Sequence, residues 1–294
     1  MKVRRYEAGD FAGVVALMRE TLALPGIDEK LVSRDFLLAP GFRPEHLLVS
    51  EEGSTLAGFA LVPRHDPLGA PTTGWIAAFG VALAFRRQGI ATGLLTRALA
   101  DMRAEGIARV DVADVPVRYL LPGVDRATYP GAAELLIGKL GFTLREEVAS
   151  MGLKLDRDFT VAPEARPATL GKLPLIQDFF AEGWGPGWWE HIERSTLLKL
   201  AGDPEPSEIL AWWEKGKPLG VAHFRGNRFG PLAVGEAVRG KGIGAALTLA
   251  TLAAMKAAGF ADAYFLVGRE EVQPFYTRLG FAVLRRFEKL TLKL

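Results

Sequence analysis

A short glycine-bearing segment near residue 240 has the residue types and spacing to bind a phosphate group. It reads Arg239-Gly-Lys-Gly-Ile-Gly244, follows an apolar run typical of a strand, and precedes an alanine- and leucine-rich run of helical period. The start of a helix leaves backbone N–H groups unpaired and carries partial positive charge, so it favours an anion. Glycine lets the backbone approach that anion closely because it has no Cβ.

Three glycine-loop patterns compete for this segment. A Walker-type loop needs Ser or Thr after its Gly-Lys pair, but Gly242 follows Lys241. A dinucleotide-binding fingerprint needs a third glycine three residues after Gly244, where the chain has Leu247. The remaining pattern, R/Q-x-x-G-x-G/A, resembles the acyl-CoA-binding motif of the GNAT (Gcn5-related N-acetyltransferase) superfamily. A glycine turn that binds no ligand is the alternative if the motif stands alone.

The same pattern occurs earlier in the chain, as Arg86-Arg-Gln-Gly-Ile-Ala91. The helical run ends at a glycine 17 residues after Gly89, and again 17 residues after Gly242. Each copy is followed by an apolar segment and later by Leu-Gly-Phe, with its glycine at Gly141 or Gly280. A chance turn would not bring the same neighbours at the same offsets, so we infer a tandem duplication.

The order of elements predicts the fold. In each half, a strand, two helices, a hairpin and a further strand precede the glycine turn, and a helix, a strand, a helix and strands follow it. In the first half, Asp10 is the expected N-cap of the first helix, residues 28–38 the second helix, and residues 75–83 the strand before the turn. The resemblance implies the α/β (α+β) class, with two tandem GNAT-like domains, each a mixed, mostly antiparallel central sheet flanked by helices. We place an N-terminal GNAT-like domain at residues 1–155 and a C-terminal GNAT domain at 156–294. This architecture is similar to that of the mycothiol synthase type.

Composition and charge restrict the class of protein. A chain of 294 residues is long enough for two domains with separate cores. With no cysteine, and four histidines without metal-ligand spacing, we expect no metal site and no disulfide. A net charge of +2 without a dense basic run argues against nucleic acid as a partner. Without a transmembrane-length apolar run or a signal segment, we expect a cytoplasmic protein with no membrane partner; the oligomeric state stays open.

The resemblance implies acetyl-CoA as the acyl-donor cosubstrate. The residues expected to bind it in the second half are Leu232, Ala233, Val234, Arg239, Gly240, Lys241, Gly242, Ile243 and Gly244. Those expected in the first half are Val81, Arg86, Arg87, Gln88, Gly89, Ile90 and Ala91.

A tyrosine is the expected general acid. In GNAT enzymes a tyrosine in the pattern Tyr-x-x-x-Gly-Phe often protonates the departing thiolate, and the second half matches this pattern at Tyr276. A tyrosine that only packs in the core is the alternative. The first half has Ile137 at the matching position, so we expect catalysis in the second half. Tyr119 or Tyr129 could substitute in the first half.

An insertion distinguishes the first half from the second. The turn glycine and the Gly-Phe glycine lie 52 residues apart in the first half but 38 in the second. The 14 extra residues lie between Val115 and Ala132, and either a substrate lid or a domain-contacting loop fits them.

No residue of the second half stands out as the general base. The base is left unassigned, since a solvated or structural role is more typical of each candidate considered: Glu236, Glu270, Glu271 and His223.

A tryptophan-rich segment of the second half is the expected acceptor site. Trp184, Trp188 and Trp189 lie between its first two helices, where packing in the core or a domain interface is the alternative. The expected activity is N-acetyltransferase (acyltransferase) activity toward a primary amine of a small molecule or peptide. A non-catalytic acyl-CoA-binding or scaffold protein and an aminoacyl or longer-chain donor stay as alternatives.

Overall fold

The computed structural model of the chain describes residues 2–24, 26–39, 42–64, 72–113, 121–184 and 186–294. The chain folds into two compact units. Unit 1 comprises Met1–Val148 and Arg286–Leu294, and unit 2 comprises Ala149–Arg285.

Strands and helices are interspersed along both halves of the chain. The first half contains β1 (Lys2–Arg5), α1 (Phe11–Thr21), α2 (Glu29–Leu31), β2 (Leu47–Glu52), β3 (Thr55–Leu61), β4 (Thr73–Ile76), β5 (Ala78–Val81), α3 (Ile90–Ala104), β6 (Arg109–Val112), α4 (Pro130–Ala133) and β7 (Thr143–Lys154). The second half contains β8 (Ala165–Pro167), α5 (Leu173–Gly183), α6 (Pro186–Leu200), β9 (Ser207–Glu214), β10 (Lys217–Arg225), β11 (Arg228–Val234), α7 (Ile243–Ala257), β12 (Asp262–Gly268), α8 (Gln273–Arg278) and β13 (Ala282–Lys293). Helices α2 and α4 continue as π-helical segments, Val32–Leu37 and Glu134–Lys139.

In unit 1 strands β5 and β6 part from each other, because the chain that pairs with β6 as β4 turns to β3 as β5. Strands β1, β2, β3 and β5 form an antiparallel sheet, while β4 pairs in parallel with β6. The last parallel pair is Ile76 with Val112, and β5 begins by pairing Ala78 with Leu61 of β3. Ala77 lies between them, and its N–H donates to the Leu61 carbonyl at 2.9 Å. The chain therefore leaves β6 and joins β3 at Ala77.

Unit 2 repeats this geometry. Strands β8 to β11 pair in sequence as an antiparallel sheet, and β12 pairs antiparallel with the end of β7. Strands β11 and β12 are parallel partners at Arg228 and Tyr264. Beyond that pair, β11 follows β10 to Val234 while β12 follows β7 to Gly268. Both units thus have the mixed, mostly antiparallel sheet that the sequence predicts.

Helices cover both faces of each sheet and bury separate apolar clusters. In unit 1, α3 presents Ile90, Leu94, Ala98 and Met102 at four-residue spacing, all fully or nearly fully buried. A second cluster in unit 1 lies on the side of α1. In unit 2, one cluster includes residues of α7 and the other includes residues of α5 and α6. These clusters hold the parted strands and the glycine turns in place.

Three local predictions differ from the structure. The single predicted strand 75–83 is two strands, because the chain changes partner at Ala77. The predicted helix 28–38 is mostly π-helical. Asp10 precedes α1, as expected of a cap, but its carboxylate accepts hydrogen bonds from Arg4 and from the Glu7 N–H.

The predicted domains 1–155 and 156–294 follow the repeat in the sequence and stay a prediction; the compact units group the chain by its contacts in space. Residues 149–154 of the first repeat pair with β12 in unit 2, and residues 290–293 of the second repeat pair with β6 in unit 1. A segment joins the core of the sheet that it hydrogen-bonds to, and the repeat pattern does not encode that partner. The unit to which a strand segment belongs therefore differs, at these two places, from the repeat to which it belongs.

Candidate active site

Gly89 and Gly242 form the caps of α3 and α7 in a conformation that requires glycine. Their φ values are 82° and 83°, in the left-handed region that other residues rarely adopt. No atom lies within 4 Å of the position where a Cβ would stand on either residue. The backbone of each helix start is therefore open to a ligand.

Each helix start presents a set of backbone donors. The first intrahelical bonds run from the Gly93 N–H to the Gly89 carbonyl at 2.9 Å and from the Ala246 N–H to the Gly242 carbonyl at 3.0 Å. The N–H groups of residues 90–92 and 243–245 come before these bonds, so they have no carbonyl one turn back in the helix. An anion at this position is stabilised by both the N–H groups and the helix dipole.

An arginine side chain links each turn to the preceding strand by the same hydrogen bond. The Nε of Arg86 donates to the Val81 carbonyl at 3.1 Å, and the Nε of Arg239 donates to the Val234 carbonyl at 3.3 Å. Both bonds reach back five residues to the end of the preceding strand. Sequence reasoning missed this role, although the equal offset of each arginine from its strand end could have suggested it.

The two turns differ in backbone conformation at one matched position. Arg87 has φ 64° where the second turn has Gly240 with φ 79°. The first turn thus places an exposed arginine in the left-handed region. At the last position of the motif, a Cβ on Gly244 would meet Val234 at 3.5 Å, an ordinary contact, which accounts for alanine at Ala91.

Tyr276 lies on α8 within a group of aromatic rings. Its ring centre is 4.4 Å from that of Phe265, 4.9 Å from Phe275, 5.4 Å from Phe281 and 6.1 Å from Phe229. Phe229 belongs to β11 and Phe265 to β12, the two strands that part. Burial raises the pKa of the Tyr276 hydroxyl, which keeps the proton on the oxygen at neutral pH.

The three candidate acceptor tryptophans have different surroundings. Trp184 stacks on Phe179 with ring centres 4.8 Å apart, and the guanidinium of Arg239 lies 5.9 Å from the Trp184 ring centre. Trp184 and Trp189 both pack against the core on the side of α5 and α6. Trp188 and Trp189 lie within α6 and not between the two helices as predicted, because the second helix already begins at Pro186. Trp188 is 37% exposed. The structure therefore brings Trp184 to the second glycine turn, and the acceptor role of all three stays a prediction.

The candidate bases of the second half are either exposed or fully buried. Glu236, Glu270 and Glu271 are exposed. His223 is buried, its Nδ1 lies 3.2 Å from the Gly230 carbonyl, and burial lowers its pKa to about 4. His223 is therefore neutral near pH 7.

The insertion of the first half contributes to a cavity in unit 1. Tyr129 lines this cavity, whereas Ile137, at the position matching Tyr276, packs against the core. Tyr119 lies outside the described residues.

Among the described residues, no helix is both long and apolar enough to span a bilayer. No group of three or more potential metal ligands occurs in the same part of the chain.

In both units a pair of strands parts and leads into a glycine turn and a helix start, an arrangement whose unpaired N–H groups suit an anion such as a phosphate group. The family model described as the acetyltransferase (GNAT) family matches residues 18–118 and 173–281. The chain belongs to this family, and its two matched segments confirm the tandem arrangement.

Solved structures share the fold. The chain is similar to a GCN5-related glucosamine N-acetyltransferase region of a fungal multi-domain GH3 β-N-acetylglucosaminidase, with a TM-score of 0.78 and 16% identity over 99% of this chain and 38% of that one. A tandem GNAT protein from the clavulanic acid biosynthesis pathway gives a TM-score of 0.70 at 16% identity, over 99% and 98% of the two chains. A GCN5-related N-acetyltransferase from Sphaerobacter thermophilus gives 0.69 at 16% identity, over 99% and 95%. No curated protein matches the sequence.

Proposed function

We propose that the protein is an acyl-CoA-dependent N-acyltransferase that moves acetyl from acetyl-CoA to a primary amine of a small molecule or peptide. The repeated combination of parted strands, left-handed glycine and open helix start supports this proposal most directly. Family membership supports the same reaction class.

The turn residues fit the pyrophosphate of acetyl-CoA. The N–H groups of residues 90–92 and 243–245 can donate to its oxygens, and the open space at Gly89 and Gly242 admits close approach. Exposed positive charge flanks both turns, from Arg86, Arg87, Arg239 and Lys241. Arg86 and Arg239 also fix the turn against its strand, so this geometry exists before the ligand arrives.

The reaction needs a nucleophile and a proton for the leaving group. The neutral amine attacks the carbonyl carbon of the thioester, a C–N bond forms, the C–S bond breaks, and the amine loses a proton to solvent. In unit 2 we assign the proton on the departing sulfur to the Tyr276 hydroxyl. The assignment rests on the Tyr-x-x-x-Gly-Phe position and on the ring contacts with the parting strands β11 and β12, while the pKa raised by burial means that the hydroxyl holds its proton until the thiolate forms beside it.

The first amines to test as acceptors follow from the reaction class and from one protein of similar structure. The fungal region is described as a glucosamine N-acetyltransferase, so glucosamine is the first amine to test, followed by peptides with a free N-terminus. Trp184, beside Arg239, offers an apolar ring near the second turn.

Titration calorimetry with CoA tests the donor sites. We expect two CoA molecules per chain, one after Gly89→Val, one after Gly242→Val, and none in the double variant, since valine in the left-handed region deforms the turn. Gly106→Val and Gly259→Val are matched controls. These glycines also have positive φ, 79° and 91°, but they follow the opposite ends of α3 and α7. If the control variants lose CoA as the turn variants do, the turns are not the binding sites.

Release of free thiol from acetyl-CoA in the presence of the amine panel then separates an enzyme from a binding protein. Amine-dependent release is expected. CoA binding without release at any amine would favour the non-catalytic alternative.

A further inference from the structure

Unit 1 contains an apolar cavity of about 80 Å³ that is partly open to solvent. Its walls come from the end of α1 and the turn after it, from the strand where β4 gives way to β5, from the end of β6, and from the inserted segment. The lining residues are Leu22, Leu24, Ile76, Ala77, Ala78, Phe79, Val112, Leu121, Gly123, Val124, Tyr129 and Ala132.

The cavity lies where the two strands part and is joined by one strand to the first glycine turn. Ile76 and Val112 are the last parallel pair of β4 and β6, and both line the cavity. Strand β5 begins in the cavity wall at Ala78 and ends at Val81, whose carbonyl accepts the Arg86 hydrogen bond. At about 3.3 Å per residue, Ala78 lies about 10 Å along the strand from Val81. An extended chain of a ligand held at the turn would reach this cavity if it ran along β5.

Tyr129 alone carries a polar side-chain atom among the described residues that line the cavity. The Ala23 N–H donates to the Tyr129 hydroxyl oxygen. A hydroxyl that accepts such a bond keeps its own hydrogen to donate to another acceptor. Tyr129 therefore offers a proton donor in the half that has Ile137 at the usual tyrosine position.

Hydrogen bonds to Asp125 fix the conformation of the segment before Tyr129. The Asp125 carboxylate, almost fully buried, accepts from the Ala127 N–H at 3.0 Å and from the Thr128 N–H and hydroxyl at 3.2 and 2.7 Å. The Tyr129 N–H donates to the Asp125 carbonyl at 2.7 Å. A donor with so fixed a backbone loses little conformational entropy when it acts.

We propose that unit 1 is a second acyl-transfer site, in which the cavity receives a short aliphatic acyl group and Tyr129 protonates the sulfur. In that step the amine nitrogen bonds to the thioester carbon, the C–S bond breaks, and the thiolate takes the phenol proton. Water returns a proton to the phenolate, and the amine releases one to solvent. This inference rests on the proposed function, because it requires acyl-CoA at the Gly89 turn.

The absence of cysteine in the chain makes a direct test possible. A single cysteine introduced by Ala132→Cys lies in the cavity wall, and Ala104→Cys places an exposed control on α3. Bromoacetyl-CoA carries its reactive carbon where the acetyl group lies in acetyl-CoA. A thiolate displaces bromide from it, and mass spectrometry measures the adduct. Bromoacetamide, which lacks the CoA part, corrects for the intrinsic reactivity of each thiol.

We expect bromoacetyl-CoA to react at Ala132→Cys about 10²-fold faster, relative to bromoacetamide, than at Ala104→Cys, because binding makes the reaction intramolecular. Gly89→Val should remove this advantage and Gly242→Val should leave it. Leu121→Cys, at another lining residue, repeats the measurement if the first variant folds poorly. No acceleration in either variant, with CoA still bound at the Gly89 turn by calorimetry, would overturn the second site and leave the proposed function standing. If calorimetry finds no CoA binding to the wild-type chain, both the second site and the proposed function are overturned.

The role of Tyr129 is tested in the Gly242→Val background, which leaves the first turn as the intact donor site. Hydrolysis of acetyl-CoA, followed by thiol release, needs no identified amine. Tyr129→Phe should lower kcat about 10²-fold with little change in the KM for acetyl-CoA. Tyr6→Phe, another tyrosine of unit 1, is the matched control and should leave kcat unchanged. An unchanged kcat in Tyr129→Phe, with labelling at Ala132→Cys retained, would show that the tyrosine only shapes the wall.

Discussion

Val124 and Glu288 exchange two backbone hydrogen bonds in unit 1. The Val124 N–H donates to the Glu288 carbonyl at 2.9 Å, and the Glu288 N–H donates to the Val124 carbonyl at 2.8 Å. Arg126 adds a bidentate pair to the Glu288 carboxylate, at 2.9 and 2.8 Å. The inserted segment of the first half is thus fixed to the last strand of the chain, five residues before Tyr129. The end of the second repeat therefore positions the cavity wall of unit 1.

This relationship predicts the effect of a methyl group at Gly123. A Cβ there would overlap the Glu288 carbonyl oxygen, so Gly123→Ala must push the inserted segment away from β13. We expect a loss of about 1–3 kcal/mol in the free energy of unfolding, by urea denaturation, together with faster amide exchange at Val124 and Glu288.

Gly138→Ala is the matched control for that substitution. A Cβ at Gly138 meets no atom within 4 Å, and this residue lies in the π-helical continuation of α4. We expect equal or greater stability than the wild type, because alanine restricts the unfolded chain more than glycine does. Equal losses in both variants would contradict a specific contact between Gly123 and Glu288.

The left-handed conformation of Arg87 predicts opposite effects on stability and binding. Relief of its backbone strain should make Arg87→Gly more stable than the wild type by about 1 kcal/mol, after the entropic cost of glycine. Arg87→Ala removes the same charge but keeps a Cβ, so it should gain no stability. Both variants should bind CoA about fivefold more weakly by calorimetry, the scale of one exposed charge. Equal stability of the two variants would show that the turn relaxes around Arg87.

The order of elements and the position of the glycine turns could be predicted from the sequence, while the choice of strand partners could not. The apolar run from Trp75 to Leu83 reads as one strand, and nothing in its hydrophobicity marks Ala77 as the point where the chain changes partner. The sequence does not predict the pairing of the final strand of each repeat for the same reason. Residues 149–154 and 290–293 are apolar strand segments in both repeats, and pairing across the fold decides which sheet each one joins.

The candidate site was predictable where backbone geometry follows from residue type. Positive φ at Gly89 and Gly242 is what a strand-to-helix turn with glycine implies. The place of Tyr129 was not predictable, because it depends on the Asp125 turn and on pairing with Glu288. The run Asp-Arg-Ala-Thr is a turn signal in its own right, and it could have indicated that this part of the insertion is ordered.

Tyr276→Phe tests the predicted acid of unit 2. In the Gly89→Val background, which leaves the second turn as the intact donor site, we expect acetyl-CoA hydrolysis to fall about 10²-fold in kcat with CoA affinity unchanged. The phenylalanine ring retains the contacts with Phe265 and Phe275, so the urea midpoint should stay close to that of the parent. Wild-type turnover in this variant would mean that the tyrosine serves packing alone.

Buried His223 predicts a pH dependence of stability. Its pKa is lowered to about 4 in the folded protein, mainly by burial, against about 6.5 in the unfolded chain. The unfolded chain therefore takes up a proton first as the pH falls. This contribution to stability is complete above about pH 6.5 and is lost between about pH 6.5 and 4. Over that range the difference amounts to about 3 kcal/mol. The charged groups Arg225, Arg228 and Lys199 act in the same direction, and the His191 ring lies 5.6 Å away.

His223→Gln isolates this effect. Glutamine can still donate to the Gly230 carbonyl, the partner of the His223 Nδ1, but it does not titrate. Urea denaturation of both proteins at pH 7.5 and pH 4.5 gives the comparison, in which carboxylates that titrate in both proteins cancel. We expect the wild type to lose about 2–3 kcal/mol more than the variant on acidification. Parallel losses would mean that water reaches the His223 ring in the folded protein, so that its charged form is not penalised and the histidine no longer limits stability in acid.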